Sequence, residues 1–536
     1  MSDSSSAGNE KHFEHIAAAP VSDDGALGSV KDSEASDDEL LKSIGYKQEF
    51  RREFTRWSTL SYAISIMGVL GSVPATYSTP LAAGGPATPI WTWFTGSFFS
   101  MTIALSIAEL VSAYPTAGGM YFVTKYVVPE EHVPIASWIV GWSNFLGQTA
   151  GVTSVGYSVG QMLLAACAMG SGFDEKTGTF GYTPTAEHTV GVAVATLILM
   201  GIICSFPTKW LHNCIMWFAP INVVASIAIS IALLTLTPNL LPASQVFGNV
   251  TDGSGWGSRG FSFLIGFLSV AWTMTDYDAT THISEETRKA AIRGPVAITQ
   301  AVIISGLVGL LLNISFGFCV GDGTTILSSG LGNPVAQIFY NAHGAKSGLA
   351  MWFWAILIQF FTGCAAMLAD TRMAYAFARD HAFPFSGTLK KMSPSTKTPL
   401  YSVWMVVIIC CLLNLIGLGS VETINSIFGI TAPALDCSYM AVIALRLWYS
   451  DRLTLRKGPF SLGKWGRPIN FIALGWTSLL AVILMFPTSR PVTAVNMNYA
   501  VVVAAGVLVF ALIWWFAGAR KVYVGPRTGG DEVQKS

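Results

Sequence analysis

Residues 271–282 read AWTMTDYDATTH and place two aspartates, a histidine and four threonines inside a long apolar run. A second stretch, residues 65–76, reads SIMGVLGSVPAT and brings two glycines and a proline into another apolar run. A helix that crosses a bilayer must satisfy its backbone hydrogen bonds internally, so breakers and polar groups at this depth are tolerated where they line a protein-enclosed cavity. Both stretches therefore predict helices that lose their regular hydrogen bonding partway across a membrane.

The composition of the whole chain is that of an integral membrane protein. Of its 536 residues, 52% are hydrophobic and 12% are charged, and the mean hydropathy is +0.51. Soluble domains carry roughly twice that charged fraction. The formal net charge is zero, so no global field points to nucleic acid or to an acidic partner. The eight cysteines lie in or beside apolar runs, which favours thiols acting as small apolar groups over a disulfide framework or a zinc site.

Apolar stretches near the roughly 20 residues that cross the hydrocarbon core recur along the chain. They predict an all-α integral membrane protein with about twelve transmembrane helices. The predicted spans are 57–80, 90–113, 135–169, 188–205, 212–236, 261–283, 296–320, 346–375, 399–417, 422–446, 470–487 and 498–517. Residues 1–50 are predicted to be a disordered tail, residues 51–519 the membrane domain, and residues 520–536 a short polar tail.

The distribution of Lys and Arg predicts which side of the membrane holds the termini. Twelve spans put both termini on one side. The tails and the even-numbered loops, with the span ends beside them, hold every Lys and Arg except Lys176, Arg259, Lys346 and Arg490. Because cytoplasmic loops are enriched in positive charge, both termini are predicted to be cytoplasmic.

The two interrupted spans are the first and the sixth, which are equivalent positions if spans one to five and six to ten form inverted repeats. Broken helices at matching positions indicate the central site of a transporter, where half-helix ends offer N–H groups and carbonyls to a charged solute. The alternative is that Gly68 and Gly71 only allow close helix packing and that both aspartates lie near a water-facing end. Asp278 is predicted to cap or orient the broken helix. Asp276 must face a cavity, because an isolated carboxylate in lipid costs several kcal/mol.

Further polar residues on the core spans are candidates for the pathway or for ion coupling. They are Glu109, Gln148, Gln359, Thr362 and Asn425. The alternative for most of them is that their polar groups are satisfied by neighbouring helices and have no part in transport. Glu109, like Arg372 and Asp436, is near a span end, where charged side chains reach the interface by default.

One motif is typical of an enzyme. Residues 156–160 read GYSVG, which matches the hydrolase pattern GxSxG, but they fall in an apolar helix without the strand that the motif needs. The spacing of Gly147, Gly151, Gly156 and Gly160 instead predicts close helix packing. No catalytic residue, metal site or cofactor is predicted.

Several stretches resemble the amino acid/polyamine/organocation (APC) superfamily. Residues 108–127, AELVSAYPTAGGMYFVTKYV, are similar to its loop after the second span, and residues 376–386, AFARDHAFPFS, to its loop after the eighth. Residues 277–286, YDATTHISEE, are similar to the end of its sixth span. With GYKQEFRREF before the first span and GPFSLGKWG before the eleventh, the chain most resembles the fungal amino acid/choline permeases. That family includes gamma-aminobutyrate, choline and polyamine carriers, and the resemblance runs from about residue 42 to 520.

The resemblance implies a LeuT-like fold of two inverted five-helix repeats with discontinuous helices 1 and 6, plus two peripheral helices. The implied substrate-binding residues are Gly68, Val69, Leu70 and Gly71 in the first span and Trp272, Thr273, Met274, Thr275, Asp276 and Tyr277 in the sixth. The first group would meet a carboxylate through its backbone. Carbonyls of the second group would meet an amine, with Trp272 or Tyr277 closing over it. Asp276 replaces a residue that is usually small and uncharged, which favours an amine-bearing or cationic substrate.

These features predict a secondary active permease, not an enzyme, that imports a small amino acid or amine such as gamma-aminobutyrate with protons. The absence of a Walker motif argues against ATP hydrolysis within the chain. The alternatives are a choline or polyamine carrier, a vacuolar exchanger, and a non-transporting nutrient sensor of the same fold. The expected partners are the substrate, H+ and the lipid bilayer of the plasma or vacuolar membrane, without nucleic acid.

Overall fold

A computed structural model describes residues 52–419, 421–453, 455–494 and 496–527 of the protein. The predicted tail at residues 1–50 and the last part of the predicted C-terminal tail lie outside these ranges. The helices are α1 (Arg56–Met67), α2 (Val69–Thr76), α3 (Ser78–Gly84), α4 (Ala87–Ala113), α5 (Gly119–Val127), α6 (Val133–Gly170), α7 (Ala186–Ser205), α8 (Thr208–Leu236), α9 (Ala243–Gly248), α10 (Arg259–Ile265), α11 (Phe267–Met274), α12 (Ala279–His282), α13 (Ala290–Cys319), α14 (Gly323–Leu327), α15 (Pro334–Arg379), α16 (Ser386–Leu389), α17 (Leu400–Asn414), α18 (Val421–Trp448), α19 (Gly466–Ile483) and α20 (Ala500–Ala517). Two short strands, β1 (Phe173–Asp174) and β2 (Thr179–Phe180), pair antiparallel between α6 and α7.

Eleven helical segments of the described chain are long and apolar enough to cross a membrane. They match the first five and the last six predicted spans. The span that does not appear as one long helix is the sixth, which is divided among α10, α11 and α12. The prediction of about twelve spans with breaks in the first and sixth is therefore confirmed.

The break in span 1 is a single left-handed residue. Gly68 has φ 43° and ψ 50°, which ends α1 and begins α2. A Cβ at Gly68 would lie 1.8 Å from the Thr362 hydroxyl, and one at Gly71 would lie 2.7 Å from the backbone nitrogen of Gln359. Thr362 and Gln359 both belong to α15. The glycines therefore break the helix and also bring span 1 against α15, so the two readings of these residues are compatible.

The break in span 6 is an extended turn of four residues between α11 and α12. Thr275 is extended, and Asp276 is left-handed with φ 65°. Aspartate is one of the few residues other than glycine that adopts this conformation readily, because its short polar side chain can bond locally. The Ala279 amide then donates to the Asp276 carbonyl at 3.2 Å, which starts the next helical turn.

The chain before span 1 is joined to the end of span 6 by a backbone bridge. The Phe54 amide donates to the Glu286 carbonyl at 2.8 Å, and the Arg288 amide donates back to the Phe54 carbonyl at 3.1 Å. The Phe54 side chain is fully buried. Both broken spans are therefore held together at this end of the bundle.

Close packing surrounds the broken spans, and the last span lies at the periphery. A Cβ at Gly147 of α6 would lie 2.7 Å from the Leu435 backbone nitrogen in α18, and one at Gly160 would lie 3.0 Å from the Thr189 carbonyl in α7. The predicted small-residue packing of α6 is therefore present. By contrast, α20 fully buries only Ala500 and Ala511 of its 18 residues, and most of the others are exposed.

Residues 519–527, which follow α20, fold back onto the bundle and are called the C-terminal strap here. The Tyr523 side chain is buried, and its hydroxyl lies 2.8 Å from that of Ser137 at the start of α6. The Arg527 amide donates to one Asp380 carboxylate oxygen at 3.2 Å. The Tyr121 hydroxyl donates to the other at 2.9 Å. The strap thus joins α5, α6 and the loop after α15.

Candidate functional site

A cavity lies between the breaks of spans 1 and 6. Its volume is about 40 Å³. Its walls are formed by Ile66, Ser72, Gly147, Gln148, Gly151, Val155, Trp272, Thr273, Thr275, Asp276, Thr362, Ala366, Thr431 and Leu435. Asp276 is the one ionisable residue in this wall.

Asp276 is held in the cavity wall by an uncharged partner. Its carboxylate accepts a hydrogen bond from the Gln148 amide nitrogen at 2.5 Å. Within the described ranges, no Lys or Arg forms an ion pair with it. The hydroxyls of Thr273 and Thr275 line the same cavity and are buried without a hydrogen-bond partner in the described chain. Because buried polar atoms are normally satisfied, this wall suits a polar ligand with a positive charge.

Asp278 has a different environment from Asp276. It is fully buried and does not line the cavity. Its carboxylate accepts hydrogen bonds from the Tyr439 hydroxyl at 2.5 Å and from the Asn144 amide at 3.2 Å. His282 Nε2 lies 3.5 Å away. Asp278 therefore ties α12 to α6 and α18, as a residue that orients the broken helix would.

The four residues of span 1 that were predicted to bind substrate do not line the cavity. None of Gly68, Val69, Leu70 and Gly71 lines it. The Leu70 amide donates to the Asn222 side-chain oxygen at 3.3 Å, and the Gly71 amide donates to the Gly68 carbonyl at 2.9 Å. The wall is formed instead by the neighbouring residues Ile66 and Ser72, so the binding role of the four residues stays a prediction.

Three predicted residues of span 6 differ in their positions. Trp272 lines the cavity, donates from Nε1 to the Ser154 hydroxyl at 3.0 Å, and has its ring centroid 5.3 Å from that of Phe428. Met274 and Tyr277 are buried behind the wall. Of the two aromatic residues predicted to close over a substrate, Trp272 is therefore the one in contact with the cavity.

The remaining pathway candidates lie at different distances from the cavity. Gln148 and Thr362 line the cavity. Gln359 lies directly behind it, linking the hydroxyls of Ser72 at 3.2 Å and Ser158 at 2.8 Å. Glu109 lies elsewhere, 2.7 Å from Arg446. The side chain of Asn425 is outside the part of the chain that the structure describes.

Comparison with known proteins identifies the family. A family model described as "Amino acid permease" matches residues 54–508. The chain belongs to this permease family. It is 46% identical over 506 residues to an uncharacterized amino-acid permease of Schizosaccharomyces pombe, covering 94% of this chain and 92% of the relative. It is 36% identical over 497 residues to amino-acid permease 2 of Neurospora crassa, covering 92% and 90%. It is 31% identical over 509 residues to a putative polyamine transporter of Candida albicans, covering 93% and 90%.

Membership of the family confirms the resemblance to the APC superfamily and, with it, the LeuT-like all-α fold. The permease is a multi-pass membrane transporter of amino acids or amines, not an enzyme.

A buried ion pair corrects one expectation about the permease. Arg372 and Asp436 were expected to reach the membrane interface, and this is wrong, since both are buried. Arg372 Nε donates to Glu286 Oε1 at 2.9 Å, with side-chain exposures of 0% and 2%. Arg372 and Asp436 lie on helix faces that are turned into the bundle. The distance of a residue from the end of its span does not show which face it lies on.

Sequence reasoning missed a further acid in the permease core. Asp370 of α15 is fully buried and accepts a hydrogen bond from the Thr149 hydroxyl at 3.1 Å. Its other carboxyl oxygen has no hydrogen-bond partner among the described residues. Thr149 follows Gln148, the partner of Asp276, so two buried acids are bonded to consecutive residues of α6. An ionisable residue inside an apolar span indicates a functional site by itself. Asp370 could therefore have been recognised as a candidate from the sequence.

Proposed function

We propose that the permease imports a small amino acid or amine, such as gamma-aminobutyrate, in symport with protons across the plasma membrane. The central cavity is the substrate site in this proposal. The observation that carries it is the Asp276 carboxylate, which faces the cavity and has a neutral amide as its partner.

A substrate amine would supply the charge that the cavity wall lacks. Hydrogen bonds between an ammonium and a carboxylate are shorter and about twice as strong as neutral ones. The hydroxyls of Thr273 and Thr275 would accept or donate the remaining bonds of the polar end. The Trp272 indole lies in the same wall and would offer its ring face to the cation.

The two ends of the cavity support alternating access. On the side of the backbone bridge, the buried pair of Arg372 and Glu286 closes the bundle. Another cavity, of about 240 Å³, has Asn333, Asn498 and Phe428 in its wall. Phe428 also packs on Trp272, so this aromatic pair would separate the second cavity from the substrate site. With both termini cytoplasmic, as the Lys and Arg distribution predicts, the second cavity would be the outer vestibule.

A polyamine carrier is the second candidate. The Candida albicans relative is named a putative polyamine transporter, and a carboxylate without a cationic partner suits a polyamine as well as an amino acid. A diamine such as putrescine lacks the carboxylate of gamma-aminobutyrate, so competition between them separates the candidates. Choline, which cannot donate a hydrogen bond from its ammonium, tests whether charge alone suffices.

The test is uptake of labelled gamma-aminobutyrate, putrescine, choline and several amino acids, one at a time, into cells that lack their own carriers, with the other solutes unlabelled as competitors. Saturable uptake that a protonophore abolishes would support the proposal. Uptake of labelled putrescine without uptake of labelled gamma-aminobutyrate would support the polyamine carrier, and accumulation confined to vacuoles would support an exchanger there. No uptake of any of these solutes by a correctly folded, membrane-localised protein would contradict transport and favour a sensor.

The substrate role of Asp276 has a matched variant test. Asp276→Asn keeps the shape and a hydrogen-bond acceptor but removes the charge. Since a hydrogen bond to a charged group contributes about 1.5–3 kcal/mol, we expect the KM for the amine substrate to rise roughly 10- to 150-fold. Asp174→Asn, in the exposed β1 strand, is the control and should leave KM unchanged. An unchanged KM in Asp276→Asn would remove the basis of the proposed site.

A further inference from the structure

A basic cavity of about 390 Å³ lies where α4 and α18 end and α19 begins. Four cations line it, Arg446, Arg456, Lys457 and Arg467, against one acid, Glu109. It is separate from the central cavity, because the two share no lining residue.

Glu109 balances one of the four charges through an ion pair with Arg446. One of its carboxylate oxygens lies 2.7 Å from Arg446 Nη2. The other accepts hydrogen bonds from the Ser461 hydroxyl and the Leu462 amide, each at 3.1 Å. Arg446 Nη1 is buried without a hydrogen-bond partner in the described chain. The cavity therefore keeps an excess of positive charge and an unused guanidinium donor.

Arg467 has only a weak local partner for its charge. Arg467 lies 3.4 Å from Asp451, but the two side chains are 70% and 90% exposed. Exposed ion pairs of this kind are weak, because water screens the attraction between the two charges. Asp451 is also the one acid between residues 446 and 467, a stretch that holds six Lys and Arg.

The cavity wall is fixed rather than formed by a loose loop. The Phe460 amide donates to the Ser112 hydroxyl at 2.9 Å, and the Arg456 amide donates to the Tyr114 hydroxyl at 3.3 Å. A Cβ at Gly458 would lie 2.4 Å from the Ser112 carbonyl carbon, so the chain passes directly against the end of α4. The GPFSLGKWG stretch thus holds its basic neighbours in place before any ligand arrives, which lowers the cost of binding.

Exposed tryptophans place this cavity at the depth of lipid headgroups. Trp448 ends α18 and is 81% exposed, and Trp465 precedes α19 and is 62% exposed. The Lys464 ammonium lies 6.0 Å from the Trp465 ring centre. Tryptophans at span ends occupy the interface between hydrocarbon and water. A basic cluster beside a span at that depth matches the anionic phosphates of lipids.

We propose that this cavity binds a phosphorylated anion, such as the phosphate-bearing headgroup of an anionic lipid. Arginine guanidiniums suit this ligand because their fork of N–H donors matches phosphate oxygens. The same chemistry would bind a soluble inositol phosphate, and the experiment separates the two sources. The site does not depend on which solute the permease carries.

The experiment uses the full chain, purified in detergent with phosphatidylcholine, and measures its thermal unfolding midpoint. The ligands are short-chain phosphatidylinositol bisphosphate, short-chain phosphatidylcholine and inositol trisphosphate. The variant R456Q/K457Q/R467Q removes three cations of the cavity. The control K390Q/K391Q/K397Q removes three exposed lysines between α15 and α17 and changes the net charge equally.

We expect the phosphorylated lipid, but not phosphatidylcholine, to raise the midpoint of the wild type and of the control. The apparent affinity of the cavity variant should fall on the order of a hundredfold, since each basic residue near an anionic surface contributes a factor of about five. Raising the salt concentration should weaken binding. If the cavity variant does not give a monodisperse protein, the single variant K457Q should still bind about fivefold more weakly.

Each outcome decides the proposal. A response to the lipid alone, or a larger response to it, supports a lipid headgroup. An equal or sole response to inositol trisphosphate supports a soluble phosphate ligand at the same site. No response to either phosphorylated ligand, or equal affinities in the cavity variant and the lysine control, would overturn the proposal.

Discussion

Replacing Gly68 by alanine tests the left-handed break on which the central site depends. An alanine at φ 43° costs about 1–2 kcal/mol relative to glycine. Its Cβ would lie 1.8 Å from the Thr362 hydroxyl oxygen, and overpacking of this kind costs about 1–3 kcal/mol. Displacing that hydroxyl would also break its hydrogen bond to the Ser65 carbonyl, now 2.8 Å long, for about 1 kcal/mol more. Together these predict a loss of roughly 3–6 kcal/mol in unfolding free energy.

The assay compares four variants by the fraction of protein that stays monodisperse after heating, together with uptake of the labelled substrate. Gly191→Ala is the control, because a Cβ there meets nothing within 4 Å in α7 and should stabilise the helix by roughly 0.5–1 kcal/mol. Gly68→Ala should be the least stable and should lose uptake. Thr362→Ala should lose about 1 kcal/mol. The double variant Gly68→Ala/Thr362→Ala should be more stable than Gly68→Ala alone, because the overlapping hydroxyl is gone.

Two results would refute this reasoning. If Gly68→Ala is as stable as Gly191→Ala, span 1 has no left-handed residue at this position. If the double variant is no more stable than Gly68→Ala, α15 does not approach the break as the structure shows.

Three further predictions concern the end of the bundle that holds the backbone bridge and the C-terminal strap. Arg372→Met should lower the unfolding free energy by about 3–5 kcal/mol, because it leaves the Glu286 carboxylate buried without its partner. The double variant Arg372→Met/Glu286→Leu should recover most of this loss in heat-stability assays. A single variant as stable as the wild type would disprove the ion pair. Burial raises the pKa of Asp380, just beyond α15, from 3.8 to about 6. The wild type should therefore be most stable below pH 4 with respect to this group and lose about 3 kcal/mol as the pH rises through 6. Asp380→Asn should remove that slope from the pH profile of the unfolding midpoint, and parallel profiles would count against it. Tyr523→Ala should open a cavity beside Trp138, whose ring centroid lies 5.0 Å from that of Tyr523, and should lower the unfolding free energy by about 3–5 kcal/mol. It should also speed proteolysis of the strap, whereas Tyr523→Phe should change stability and proteolysis little. Equal proteolysis rates in the two variants would show that the strap is not docked.

Much of the architecture follows from local signals in the sequence. Gly68 and Asp276 lie in apolar runs, where a continuous membrane helix would not favour a helix breaker or a charged side chain. Both breaks can therefore be predicted from the sequence. The different environments of Asp276, which faces the cavity, and Asp278, which is bonded within the bundle, also follow from the cost of a lone carboxylate in lipid. The structure adds the partners, Gln148 for one and Tyr439 for the other.

The features that the sequence did not predict depend on contacts between distant parts of the chain. The Leu70 amide is satisfied by Asn222, 152 residues away, so a donor that looks available in the sequence is already used. Glu109 pairs with Arg446 of α18, and its role in the pathway or in coupling stays a prediction. In each case the local pattern is correct, but the helix face and the neighbouring helix decide the partner, and neither has a local signature.

The bridge through Phe54 has a mechanical consequence. Its two backbone hydrogen bonds connect the start of the first span to the end of the sixth. A displacement of either span at this end would therefore move the other span as well. A gating movement at this end would then shift spans 1 and 6 together, and with them the residues of both spans that line the central cavity. The short segment ahead of the first helix would then link the movements of the two broken spans.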